Sequence, residues 1–224
     1  MSGSAPRFSI GFFAAWHNKE AEFRAGPEEE RETLEGCAAA FNHGQLLGIR
    51  MLGRYGCRWS SDQQYFTFWL CPDLEALEVT IDRLESAGDF KFADSLHLIG
   101  RLLPGASEYA PLPVPPLAAI TFWSPRLSSS PPAQFSEVVY KSWEAARQQY
   151  AGRGVWSPGL FESHWSSGWA FFSLWTAHDL GTFESLLDDL EADAVRARVE
   201  LGHTIGQHAP QYRFGSRLQP LLGG

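Results

Sequence analysis

Three cysteines and two methionines are all the sulfur in this 224-residue chain. Cys37, Cys57 and Cys71 are odd in number, and their spacing fits neither a disulfide framework nor a zinc site, so reduced thiols are expected. Long apolar runs are missing too. The first, Phe8 to Trp16, is too short for a membrane span and has neither the charged start nor the small-residue cleavage pattern of an export signal. The expectation is a soluble protein of the cytoplasm that makes no use of a membrane. Positive charge is scarce: 18 Lys and Arg against 26 Asp and Glu leave a net charge of −8. No basic stripe is available to neutralise phosphates, which argues against nucleic acid as a partner. The densest charge run, Glu28 to Glu32, is acidic and reads as a solvated helix start. Glycine-rich phosphate loops, nucleophile elbows and convergent sets of three or four metal ligands are absent as motifs, so no dedicated metal site is expected.

What the chain does have is apolar and aromatic surface. Hydrophobic residues make up 44% and aromatic ones 14%, with nine tryptophans, enough to build a core or to line a pocket for a flat ligand. It also repeats itself. Laid over residues 165–206 without a gap, residues 59–100 match at about 14 of about 42 positions, several times the chance level. Trp59-Ser60-Ser61 falls on Trp165-Ser166-Ser167, Phe66 on Phe172, Trp69 on Trp175 and Asp73-Leu74 on Asp179-Leu180. Glu78, Asp82, Leu84 and Glu85 then meet Glu184, Asp188, Leu190 and Glu191, and His97 with Ile99-Gly100 meets His203 with Ile205-Gly206.

Each copy reads β-α-β-β-α-β. An apolar strand opens it, Phe8–Ala15 or Ala118–Ser124. A helix follows, from Pro27 to Asn42 with Leu34, Ala38 and Phe41 inward, or along Phe135, Val138, Val139, Ser142, Ala146 and Tyr150. Two strands come next, Leu46–Arg58 and Gln64–Cys71, or Val155–Trp165 and Trp169–Thr176. Asp73 and Asp179 are suited to cap a second helix, striped by Leu74, Leu77, Ile81 and Leu84 or by Leu180, Phe183, Leu187 and Leu190. Ser95–Leu102 and Leu201–His208 close the copies. The proline-rich stretch 104–117 reads as a stiff linker between a first repeat, 1–103, and a second, 118–224, that carries a C-terminal tail. The fold class is α+β: two fused ferredoxin-like repeats whose bare sheet faces must be buried, the natural solution being one pseudo-symmetric antiparallel barrel.

Strand alternation then proposes the ligand face. Phe66, Phe68 and Leu70, with Phe172, Leu174 and Thr176, are placed under the helices. Tyr65, Thr67 and Trp69, with Phe171, Ser173 and Trp175, are placed in the cavity, together with His97, Ile99 and Arg101 and with His203, Ile205 and Gln207. His97 and His203 are the candidate catalytic groups; Tyr65, Trp69, Arg101, Trp175 and Gln207 are the candidate substrate contacts. The two histidines have a plain structural alternative as satisfied strand-start residues, and Trp69 and Trp175 have one as plugs that fill the barrel. Arg50, Arg54 and Arg58 alternate along one strand and could clamp an anion or lie on a solvated face.

The pattern resembles the dimeric α/β-barrel superfamily. Tyr65-Phe66-Thr67-Phe68-Trp69, the capped helix after it and Asp89-Phe90-Lys91-Phe92-Ala93-Asp94 are similar to darcynin-type families within it. That resemblance implies a ligand-holding barrel without choosing a chemistry, because the superfamily includes cofactor-independent oxygenases, polyketide cyclases, lactone isomerases, haem-binding chlorite dismutases and aldoxime dehydratases. The leading expectation is a cofactor-free oxygenase, cyclase or isomerase acting on an aromatic or polyketide-like small molecule, with one histidine as base. A non-catalytic binding barrel is the second. The third is a haem-binding enzyme of the chlorite dismutase or aldoxime dehydratase kind, with His203 or His97 as proximal ligand and a distal arginine. A small hydrophobic or aromatic molecule is the expected partner, and the chain a monomer or homodimer.

Overall fold

The computed structural model describes residues 8–19, 26–57, 60–104, 114–125, 132–164, 168–197 and 199–209. These residues form an α+β fold in which the order β-α-β-β-α-β occurs twice. The first half contains β1 (Ile10–Asn18), α1 (Pro27–Leu46), β2 (Arg50–Gly56), β3 (Tyr65–Cys71), α2 (Leu74–Ser86), the single-turn α3 (Asp89–Phe92) and β4 (Ala93–Leu102). The second contains β5 (Leu117–Pro125), α4 (Pro132–Ala151), β6 (Leu160–Ser163), β7 (Phe171–Ala177), α5 (Leu180–Ala197) and β8 (Val199–His208). The centre of the linker, 105–113, lies outside the described residues, as do Arg58, Trp59 and Trp165.

Local chemistry fixes the helix starts. Pro27 opens α1, where its missing N–H is not needed, and Glu28, Glu29 and Glu30 face the positive end of the helix dipole. Asp73 accepts a hydrogen bond from the Ala76 amide at 2.8 Å, and Asp179 accepts one from the Thr182 amide at 2.8 Å, so the same cap is made at the same place in both copies. Gly48, at φ +90°, turns the chain out of α1 in a conformation that a side chain would strain.

By its contacts the chain divides into two compact units, Met1–Arg58 with Asp62–Leu98 and Ala209–Gly224, and Trp59–Ser61 with Ile99–His208. In the first, β1 and β2 both pair antiparallel with the central β3. In the second, the antiparallel order is β8-β5-β7-β6, that of a ferredoxin-like sheet, and Gly100–Leu102 at the end of β4 pairs with β6.

Several stripes sit one position away from expectation. On α1 the buried residues are Thr33, Cys37, Ala40 and Gly44, with Leu34, Ala38 and Phe41 half-buried beside them. Small residues win this face because α1 lies close to α2: a Cβ on Gly36 would stand 2.8 Å from the Ala87 side chain, and one on Gly44 3.0 Å from Thr80. Leu74 and Leu180, assigned to the inward stripes of α2 and α5, are 41% and 50% exposed, so both stripes begin about one turn later. On β2 a bulge between Met51 and Arg54 breaks the register. It leaves Arg50 exposed and Arg54 buried, so these two arginines do not share one surface.

All three cysteines are free and buried in the first unit, and burial pushes each thiol up to about 12. Gly100 shows how tightly the second unit is packed. A Cβ there would lie 2.6 Å from the Phe172 ring and 2.8 Å from the Glu162 carbonyl oxygen. Gly100→Ala is therefore expected to cost about 1–3 kcal/mol through overpacking. An unchanged denaturation midpoint would show that the strands separate there freely.

Candidate functional site

In the second unit, β7 presents two different faces. Phe171, Ser173 and Trp175 point at the helices: the Phe171 ring is 5.6 Å from Phe135 of α4, and Trp175 is 6.4 Å from Trp143 of the same helix. Phe172 points the other way and stacks on Phe161 at 5.5 Å and 18°. Strand register sets Thr121 of β5 between Ser173 and His203, and Ala119 between Trp175 and Ile205. A polar row, Ser173–Thr121–His203, thus crosses the sheet beneath a helix layer built of Val139, Trp143, Phe183, Leu186 and Leu190.

His203 is the most developed group of this row. Its Nδ1 lies 3.0 Å from the Thr121 hydroxyl, and its side chain is 10% exposed between Leu201 and Ile205, which pack on the helix layer. Its Nε2 is buried without a hydrogen-bond partner; the Glu191 carboxylate stands 3.8 Å away, beyond bonding distance. Burial pushes the imidazole down to about 4, so it is neutral at physiological pH. With the proton on Nδ1 and the Thr121 oxygen accepting it, Nε2 carries an unshared lone pair. Ser173 Oγ and Trp175 Nε1 are also buried without partners.

The first unit closes the corresponding place. Trp69 meets Phe41 of α1 edge-on at 5.7 Å, while Tyr55 and Phe66 stack at 5.2 Å and 21°. Register places Phe12 where the second unit has Ala119, and Ala14 where it has Thr121. The Phe12 ring lies 4.9 Å from Trp69 and 5.2 Å from His97, so an aromatic ring occupies the space in front of that histidine. Burial lowers the His97 pKa as well. Thr67 donates to the Gly53 carbonyl at 2.8 Å and accepts from Trp69 Nε1 at 3.0 Å, which satisfies both groups.

These contacts exchange the two strand faces relative to the sequence reading. Trp69, Trp175, His97 and His203 lie on the helix side, and the Phe-rich set lies opposite. The cause is that both faces are buried, so the more apolar set carries no information about which side the helices cover. Arg101 and Gln207 are exposed near the strand ends, Arg101 paired through its backbone with Glu162. Tyr65 is half-buried with the Arg54 guanidinium 4.5 Å above its ring; Arg54 Nε donates to the Ala209 carbonyl at 3.0 Å. His164 lies 3.4 Å from Glu162, and His178 is exposed. Among the described residues no group of three or more His, Cys, Asp or Glu gathers around a point. Thr121, Ala119 and Glu191 went unnoticed in the sequence as members of the site. Laying β1 over β5 at its own offset would have shown the first two as changes against Ala14 and Phe12.

No protein-family model and no curated protein matches the chain. Solved structures do. One is a haem-binding protein from Thermus thermophilus, 16% identical, covering 90% of this chain and 91% of that one with a TM-score of 0.67. Another is a substituted chlorite dismutase from Candidatus Nitrospira defluvii, 12% identical, covering 90% and 92% with a TM-score of 0.69. At such identities the likeness is one of fold, and the fold of this chain is the α+β architecture of the chlorite dismutase-like proteins.

Proposed function

We propose that this chain is a haem-binding protein whose second repeat supplies the iron ligand through His203. The observation that carries this reading is the buried, unpartnered Nε2 of a neutral histidine whose Nδ1 is held by Thr121. Metal-ligating imidazoles are characteristically fixed in this way at their second nitrogen. The likeness over nine-tenths of the chain to a protein described as haem-binding supports it. The chemistry of the donor suits the group as well, since the neutral His203 nitrogen needs no deprotonation to coordinate. When bound, haem supplies a redox-active iron. The protein's own residues do the rest: Thr121 fixes the ring, Leu201 and Ile205 keep water from its flanks, and Glu191, 63% exposed, marks the side from which Nε2 is approached.

One site per chain follows, because Phe12 fills the first repeat's counterpart. The repeat limits 1–103 and 118–224, their closure into one barrel and the darcynin-type kinship belong to this proposal. Cofactor-free catalysis is the weaker reading, since an imidazole with a conjugate acid near 4 is a poor base at neutral pH. Haemin titration followed by visible absorption tests the proposal. A saturable Soret band at one haem per chain is expected, lost in His203→Ala and kept in His97→Ala. No saturable band, or a band that survives His203→Ala, would overturn it.

A further inference from the structure

The first repeat carries an apolar corner that the second lacks. Leu46, at the end of α1, is 85% exposed, with Leu47 beside it and Leu74, at the start of α2, exposed as well. Fraying does not account for this. The Leu47 amide donates to the His43 carbonyl at 3.0 Å, Gly48 to Gln45 at 3.0 Å and Ile49 to Gly44 at 2.9 Å, so the turn that presents both leucines is fixed by its own backbone. A Cβ on Gly48 would lie 3.6 Å from the Pro72 ring, which sets this turn against the loop that leads into Leu74.

The second repeat builds the same corner from the same backbone. Val155 donates to the Tyr150 carbonyl at 3.3 Å, Gly154 has φ +79°, and a Cβ on it would lie 3.7 Å from His178. There Gly152, Arg153 and His178 stand where the first repeat has Leu46, Leu47 and Pro72, and the Arg153 guanidinium lies 4.7 Å over the Tyr150 ring. The scaffold therefore does not require leucines at this turn, and apolar side chains held out into water mark a contact surface. Size and charge choose what covers it. Three leucines and a proline are a small part of the about 20–30 residues a side that hold two separate chains together. A segment tethered to the same molecule needs far less, because its effective concentration is on the order of mM. Ala209 brings such a segment close: its amide donates to the Arg54 carbonyl at 2.8 Å, and its carbonyl accepts from Arg54 Nε at 3.0 Å. Arg54 is about 13 Å along β2 from Arg50, which directly follows the leucine turn. Residues 210–224 follow Ala209 and lie outside the described residues. Nine extended residues span about 30 Å, enough to bring Leu218 to the corner. Their sequence sets Phe214, Leu218, Leu221 and Leu222 beside Arg213 and Arg217 and contains no acid, while exposed Glu75 and Glu78 flank Leu74 on α2.

We propose that segment 210–224 docks on this corner of its own chain. Phe214, Leu218, Leu221 and Leu222 cover Leu46, Leu47 and Leu74, and the two arginines face Glu75 and Glu78. This clasp goes beyond the haem proposal and does not involve His203, so either can fail without the other.

Amide hydrogen exchange of the full chain, read by mass spectrometry over the peptides of residues 210–224, decides the matter. These amides are expected to exchange about tenfold or more slower than in a synthetic peptide of the same sequence. In the double variant Leu46→Ser with Leu74→Ser they are expected to return to the peptide's rate. Both leucines are exposed, so the core stays intact, and unchanged protection of β3 verifies it. Leu180→Ser, at the matching position of the second repeat, is expected to leave the segment's protection as it was. A contact within one chain also holds the same protection over an about hundredfold range of protein concentration. Exchange at the free-peptide rate in the wild type, or protection that survives the double variant, overturns the proposal. So does protection that grows with concentration, which would give the corner to a second copy of the chain.

Discussion

Replacing Trp143 with alanine is expected to destabilise the chain by about 3–5 kcal/mol, the range for removing a large aromatic from a packed core. Trp143 is fully buried on α4 and is a central member of the second unit's core. Its ring stands 6.4 Å from Trp175 and 5.9 Å from Tyr140, its Nε1 donates to the Ser157 hydroxyl at 3.2 Å, and the Arg147 guanidinium lies 5.6 Å over it. Alanine would remove the transfer energy of the whole indole and leave a void that the flanking strands and helices are too stiff to fill. Domains are stable by only about 5–15 kcal/mol, so much of the margin rests on this one side chain. Trp143→Phe keeps most of the ring and loses the bond to Ser157, and should cost far less. Urea denaturation of both variants measures the difference. A loss below about 1 kcal/mol for the alanine variant would mean that α4 is loosely seated.

The second large effect is on pH. His203 has a folded-state pKa near 4 against about 6.5 when unfolded, and burial is the cause. Glu191 does not reverse this, because its carboxylate is largely in water and too far for a bond. The unfolded chain therefore binds the extra proton first. Stability from this residue is fully present above pH 6.5, falls as pH drops through the window from 6.5 to 4, and levels off below it. Integrated over that window the loss is of the order of 3 kcal/mol at pH 4. His97, also lowered by burial, adds in the same direction. The part due to His203 is isolated by comparing wild type with His203→Phe at pH 7 and at pH 4. The wild type should lose about 3 kcal/mol more than the variant. Parallel losses would mean that the imidazole reaches water in the folded state.

The repeat was the most legible feature of the chain, and the reason is local. Asp73 and Asp179 cap their helices, Trp69 and Trp175 hold the same strand position, and His97 and His203 meet in register, all within one gap-free window. The spacing of Phe135, Val139, Ala146 and Tyr150 likewise marks the buried side of α4, and Trp143 belongs to that series. Which side of each strand the helices cover was not legible. In sheets buried on both sides, alternation separates two apolar sets without saying where either points. The difference between the two histidines was hidden for another reason. It resides in Thr121 and Phe12, which come from strands far away in sequence and outside the window in which the copies align. Glu191 was visible as a repeated residue, but its approach to His203 depends on how α5 lies on β8, which no periodicity encodes.

The placement of the sulfur has a practical consequence. Thiol-directed reagents attack the thiolate, and a buried cysteine with its pKa near 12 offers almost none. Alkylation of the folded chain must therefore wait for an opening event. Cys37, Cys57 and Cys71 all fall in the first unit and the second contains no cysteine, so the reagent is blind to motions confined to the second. The mass gained with time becomes a clock for one half of a duplicated molecule. Set beside global denaturation, it would tell whether the two units open together or have separate lifetimes.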